Sequence, residues 1–358
     1  MILRFNNCSS FSTTLWVPLE TFGEAPMFNW FSYMLIAIFM TLMAFCAYSI
    51  VILIRVMWKI QKIHTNNRII LSVLITSWFS CVLGYLALLP YQYKIIELED
   101  NSSFLSGFET VSNMIVNLNL KTIPLLIGSI LIWTYFSTVL ASLLVFLIER
   151  ALATYLYRDY ERKRRPCLAV LLVALLITLI ILQTFLLTTY VVTMKSSLII
   201  ASIVVVFFVP SFAYLKFYNN RLRKRLKTGE SNMHTIPNVL AAKFQAEENI
   251  RSLNLATNFV YCSIVIESIF LLVLIATVLN IIESKTSFFL FQIICLLNPL
   301  VIVPATLSSV LEWRNAFIRD VPFVPRNMRT TKIYVRSQNA ESISTVYFQQ
   351  LNVSWGRE

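Results

Sequence analysis

Charged residues are scarce in this chain. Asp, Glu, Lys and Arg make up 13% of it, where a soluble domain carries roughly 25%, and 57% of the residues are hydrophobic. That balance excludes an ordinary soluble globule. Histidine occurs only at His64 and His234, and neither His nor Asp falls in any long apolar run, so nothing in those runs suggests a metal centre, a bound cofactor or a catalytic triad. The residues speak against an intramembrane enzyme. Glycine is rare as well, six in all, whereas transporters use broken, glycine-rich helices. Of the six cysteines, Cys46, Cys81, Cys262 and Cys295 sit within apolar runs, Cys167 sits at the edge of one, and only Cys8 is clearly outside them. No disulfide between outer segments can be drawn from that pattern, and no cysteine follows the last run to carry a palmitoyl chain.

What the chain does have is seven apolar runs of membrane-spanning length: Trp30–Ile54, Ile69–Tyr93, Ile123–Ile148, Cys167–Val192, Ser197–Phe217, Phe259–Ile282 and Phe288–Leu311. A helix needs about 20 apolar residues to cross the hydrocarbon core, because each adds about 1.5 Å and every backbone polar group must be satisfied internally. Lys216 near the end of the fifth and Glu267 in the sixth are the ionisable residues within these runs. The fourth and fifth are separated mainly by Lys195, and a turn is expected there because one helix of their combined length would overshoot a bilayer. The fold expected is an all-α seven-transmembrane helix bundle.

Orientation follows from Lys and Arg, which short cytoplasmic loops retain. The odd-numbered connections and the segment after Leu311 hold 24 of the 30 Lys and Arg, including Arg55, Lys59 and the cluster Arg162–Arg165. The net charge of +12 therefore reads as cytoplasmic loops facing anionic lipid and protein partners, not nucleic acid. The division expected is an extracellular segment 1–29, a seven-transmembrane domain 30–311 and a cytoplasmic tail 312–358. The first span is expected to serve as the targeting signal, since residues 1–29 are polar and broken by Pro18 and Pro26. Asn7 and Asn101 stand in N-glycosylation sequons on the outer face.

At the cytoplasmic end of the third run, Glu149 and Arg150 follow a long stretch without charge. An acid beside an arginine at headgroup depth is partly desolvated, and their attraction can hold a helix end until a partner competes for the arginine. With seven spans, this layout resembles a G-protein-coupled receptor, in which an Asp/Glu-Arg pair ends the third helix. Asn298-Pro299-Leu300-Val301-Ile302 is similar to the Asn-Pro-x-x-Tyr motif of rhodopsin-like receptors, with Ile302 in place of tyrosine. Pro299 and Pro304 remove backbone donors and give that helix a place to bend. The cysteine usual at the outer end of the third helix is missing, as is a proline inside the sixth. A further resemblance lies in "LAAKFQAEENIRSLNLA", residues 240–256, and "IERALATYLYRDYE", which look like the nematode serpentine receptor family, class epsilon. Phe244, Gln245, Glu248, Asn249, Arg251 and Ser252 match its pattern. The resemblance implies a chemosensory receptor in the plasma membrane, with a sensory-neuron cilium as one location, coupled to a heterotrimeric G protein.

The same stretch reads as helix from its residues alone: Lys243, Glu247 and Arg251 recur every four residues and predict a ladder of ion pairs, extending the sixth helix into the cytoplasm. Glu267 lies near mid-bilayer, where an ionised group costs roughly 2.5–3.5 kcal/mol, so it is expected to face the bundle. Tyr91, Trp133, Tyr135 and Gln292 join it as candidates for contacting an extracellular small molecule between the outer halves of the helices. After the last span, Trp313 and Phe317 are four apart beside Arg314 and Arg319, the pattern of a helix along the membrane surface. A chemosensory channel is the alternative to a receptor, and a transporter a weaker one.

Overall fold

The long apolar runs fold as helix, the seventh as two helices in succession, since in hydrocarbon only a helix satisfies the backbone from within a single segment. The computed structural model describes residues 2–6, 12–16, 30–60, 63, 65–92, 95–96, 113–115, 122–155, 166–189, 191, 194–228, 239–282 and 284–321. In chain order the helices are α1 (Trp30–Lys59), α2 (Thr65–Gln92), α3 (Ile123–Tyr155), α4 (Pro166–Thr188), α5 (Met194–Thr228), α6 (Val239–Val278), α7 (Ser284–Leu297), α8 (Pro299–Ser309) and α9 (Leu311–Asp320). Six stretches among the described residues are long and apolar enough to cross a membrane: Ala37–Lys59, Thr65–Gln92, Ile123–Tyr155, Val170–Thr188, Asn249–Thr277 and Phe289–Ser309. With α5, which carries the fifth apolar run, they make the seven-helix bundle of a multi-pass membrane protein.

Several helices outrun their apolar segments at the end of the bundle where Lys and Arg gather. α3 continues past Ile148 to Tyr155, α5 past Phe217 to Thr228, and α6 begins at Val239, well before Phe259. At 1.5 Å per residue the 40 residues of α6 measure about 60 Å, twice the hydrocarbon thickness. Its other end is closed by a Schellman turn. Asn280 takes a left-handed φ of 57°, Ile281 N donates to Ala276 O at 2.8 Å, and Asn280 N donates to Thr277 O at 3.0 Å, so carbonyls left over at the helix end find donors. Thr277 and Ser287 then share a hydrogen bond between α6 and α7.

Two of the six glycines allow α2 and α3 to approach closely. A Cβ on Gly84 of α2 would stand 2.8 Å from Gly128 O of α3, and one on Gly128 would stand 2.9 Å from Gly84 O. Only residues without side chains let two backbones meet there. Leu88, Leu125 and Ile132 are fully buried around this crossing. By contrast Ile181 and Phe185 of α4 and Val206 and Phe207 of α5 are exposed, an arrangement that a lipid surround satisfies.

Outside the bundle lies a small sheet the apolar pattern does not announce. β1 (Ile2–Asn6) pairs antiparallel with β2 (Ser12–Trp16), Ile2 opposite Trp16, and parallel with β3 (Asn113–Ile115), Ile2 opposite Asn113. Segments this short owe their pairing to tertiary context rather than to propensity. Asn7 and Asn101 lie outside the described residues.

The surface helix expected after the last span is α9, and it is anchored to protein on one side. Trp313 is fully buried, and its Nε1 donates to Ile60 O at the end of α1 across 3.0 Å. That carbonyl belongs to the group a helix terminus leaves without an internal donor.

Candidate functional site

Neighbouring residues on a helix point about 100° apart, so Glu149 and Arg150 leave α3 in different directions. Their side chains instead fold toward each other: Arg150 Nη2 donates to Glu149 Oε1 at 2.6 Å, and its Nε donates to Oε2. Both side chains are 0% exposed. Burying such a pair carries a desolvation cost of several kcal/mol per ion, which the ion pair offsets only if the remaining donors and acceptors are also used.

Two other helices use them, and a third joins through one of their side chains. Arg150 Nη1 donates to Asn249 Oδ1 of α6 at 3.0 Å. Asn249 Nδ2 donates to Asn219 Oδ1 of α5 at 3.3 Å, and Asn219 Nδ2 donates to Thr154 Oγ1 at 2.9 Å and to Leu215 O at 2.8 Å. Thr154 Oγ1 in turn donates to Arg150 O, one turn back along α3. From α2, the Asn67 amide completes the ring: with its orientation set by its partners, Nδ2 donates to Glu149 Oε2 at 2.6 Å and Oδ1 accepts from Arg150 Nη2 and Nε at 2.8 and 3.1 Å. Ser252 Oγ lies 3.4 Å from the same amide. One guanidinium thus joins α2, α3 and α6 directly, and α5 through a single asparagine. Each bond to a charged group of this kind contributes about 1.5–3 kcal/mol.

A second polar cluster marks the break in the last span. Pro299 lacks an N–H, so α7 and α8 are separate helices meeting at Asn298. Asn298 Nδ2 donates to Tyr135 Oη of α3 at 2.7 Å, and Trp78 Nε1 of α2 donates to Leu296 O at 3.0 Å. The break is held from two sides.

The geometry and the residues reported so far find a counterpart among known proteins. Residues 1–356 match the Sre G protein-coupled chemoreceptor family. The chain belongs to that family. Among Caenorhabditis elegans proteins, serpentine receptor class epsilon-38 is 28% identical, over 99% of this chain and all of its own length. Serpentine receptor class epsilon-37 is 29% identical, over 97% of this chain and 98% of its own.

In this Sre protein the residues singled out by sequence fall into four groups. Glu149, Arg150 and Asn249 come together in one buried network, and Asn298 and Pro299 form the helix break. Arg251 is half-buried on α6, while Phe244, Gln245, Glu248 and Glu267 belong to α6 with side chains outside the described set. Tyr91, Trp133, Tyr135 and Gln292 are all buried within the bundle. Tyr135 is bonded to the break, Trp133 packs on Phe136 with ring centroids 5.9 Å apart, and Gln292 Oε1 accepts from Gln92 Nε2 of α2 at 3.4 Å.

Sequence reasoning missed Asn67, Asn219 and Thr154, which complete the arginine network. Each stands where a helix leaves its apolar run, a position where a polar residue draws no notice. Of the expected ladder along α6, the Lys243 side chain lies outside the described residues, and Glu247 Oε1 accepts from Arg223 Nη2 of α5 at 3.2 Å. The observed rung runs across two helices.

Proposed function

We propose that this Sre protein is a chemosensory receptor that binds an extracellular small molecule and signals through a cytoplasmic heterotrimeric G protein. The observation that carries the reading is the bond from Arg150 to Asn249. A buried cation held by a residue of α6 is released when α6 swings away, and an exposed arginine is then available to an incoming protein. Ligand binding raises the population of that open arrangement only if the ligand binds the two arrangements unequally. Phe244, Gln245, Glu248 and Arg251, on the part of α6 that outruns the apolar run, are the proposed contacts of the G protein. The break at Asn298 and Pro299 is the proposed hinge, and Tyr91, Trp133, Tyr135, Glu267 and Gln292 are the proposed route from the ligand to it.

In this reading the amino terminus is extracellular, with Asn7 and Asn101 open to glycosylation, and segment 312–358 is cytoplasmic. The protein resides in the plasma membrane, with the sensory cilium as its place of work. The test is a second-messenger assay in cells expressing the full chain, across volatile and water-soluble chemicals. An agonist found this way is expected to lose its response in Arg150→Ala at equal surface expression. A carboxyl-terminal epitope accessible without permeabilisation would overturn the receptor reading in favour of a channel of opposite orientation.

A further inference from the structure

Beyond Phe212 the surface of α5 divides into two faces of different chemistry. Successive residues turn by about 100°, so Phe208, Phe212, Leu215, Asn219 and Arg223 share one side. Four of these are packed inside or at the edge of the bundle, and Arg223 reaches Glu247 of α6. The opposite side is a single stripe, Tyr214, Phe217, Tyr218, Arg221, Lys224 and Arg225, confined to an arc of about 120°. Every member is exposed, Tyr214 at 66% and Phe217 at 65%.

The order along this stripe is informative. It continues the lipid-facing apolar surface of Val206 and Phe207, passes through two tyrosines and a phenylalanine, and ends in three cations. Aromatic rings settle at the boundary between hydrocarbon and headgroups, and basic side chains just beyond it. Arg221 to Arg225 rises about 6 Å, comparable to the thickness of one headgroup layer. Depth is fixed independently, because Asn219 is bonded to Thr154 in the last turn of α3, beyond the apolar run that ends at Ile148. The three cations also stand on the opposite side of α5 from Asn219 and the arginine network.

We infer that this outward stripe of α5 is a binding site for the polyanionic headgroup of an inositol phospholipid, with Arg221, Lys224 and Arg225 contacting the phosphates and Tyr214, Phe217 and Tyr218 the acyl-chain boundary. It rests on the bundle spanning a membrane with this end at the inner leaflet, and it is independent of ligand binding and of signalling. A headgroup seated there would hold α5, and through Asn219 the network around Arg150.

The test titrates purified full-length protein in neutral detergent with fluorescent phosphatidylinositol 4,5-bisphosphate. Unlabelled phosphatidylinositol 4,5-bisphosphate, phosphatidylcholine and soluble inositol trisphosphate serve as competitors. Each cation near a membrane surface contributes about fivefold in affinity, so R221Q/K224Q/R225Q is expected to bind on the order of a hundredfold more weakly. K59Q/R314Q/R319Q removes the same charge from exposed positions at the same end. Those three cations lie off the stripe, and a headgroup's attraction to basic side chains fades within a Debye length, so this variant is expected to stay within about twofold of the parent chain. Should the first triple variant be polydisperse, monodisperse R225Q is expected to show the single-charge loss. Equal losses in the two triple variants, no loss in either, no binding by the parent chain, or competition by inositol trisphosphate as strong as by the lipid would each overturn the assignment. Signalling is not read in this experiment, so a chain that binds the lipid as expected but answers no chemical leaves this inference standing.

Discussion

Arg150 Nη1 and Asn249 Oδ1 lie 3.0 Å apart with both residues fully buried, and this contact joins the end of α3 to α6. Asn249 is held from its other side by Asn219, so its amide cannot turn away without breaking a second bond. The contact is therefore a positioned one, in which the loss of one amide loosens three helices together.

Replacing Asn249 with Ala removes a hydrogen bond to a charged group, a loss of about 1.5–3 kcal/mol, or roughly tenfold to a hundredfold in the closed-to-open ratio. Basal second-messenger output without ligand is expected to rise. Unchanged basal output in a variant expressed at normal levels would show that the contact does not restrain α6.

Glu149→Ala leaves the buried Arg150 guanidinium without its counter-charge. A change of that kind costs about 3–5 kcal/mol, and a clear fall in melting temperature is expected for the detergent-purified chain. Combining it with Asn249→Ala is expected to give less than the sum of the single losses, because both act on one network. Strict additivity in the melting data would contradict the shared network.

At the other crossing, Gly84→Ala places a methyl group 2.7 Å from Ile132 Cγ1 and 2.8 Å from Gly128 O. The backbones of α2 and α3 must separate, and overpacking of this kind costs about 1–3 kcal/mol. Gly128→Ala opens the same contact, so the double variant is expected to be little worse than either single one. Native melting behaviour in Gly84→Ala would rule out the close approach.

Tyr135→Phe removes the acceptor that Asn298 uses while keeping the ring. Leaving a buried amide short of a partner costs about 1–3 kcal/mol. The expected result is lower thermal stability with a shifted ligand response, since Asn298 stands at the break between α7 and α8. Wild-type stability and response would place the hinge elsewhere.

The helices were legible in the sequence because burial in hydrocarbon imposes one length and one composition on every span. Their extensions at the basic end of the bundle were legible only for α6, where residues 240–256 carry charges at helical spacing; the runs beyond Ile148 and Phe217 look like ordinary polar loop. Glu149 and Arg150 stood out as charges at the end of a charge-free stretch. Asn67 and Asn219 did not, because nothing in a linear sequence says that two asparagines far apart in the chain meet the same guanidinium network. The break at Asn298–Pro299 follows from proline's missing donor, while the side chains that hold it, Trp78 and Tyr135, come from helices that only packing brings near. β1, β2 and β3 are too short to carry a pattern, and their pairing depends on chain segments brought together from either side of the first two spans.

The indole of Trp313 closes off the end of α1 at Ile60, so the beginning of the carboxyl-terminal segment is a structural part of the first helix. Reporter fusions and epitope tags should therefore be attached beyond Val321, since a cut closer in would strip the cover from α1 and blur any reading of the receptor's behaviour.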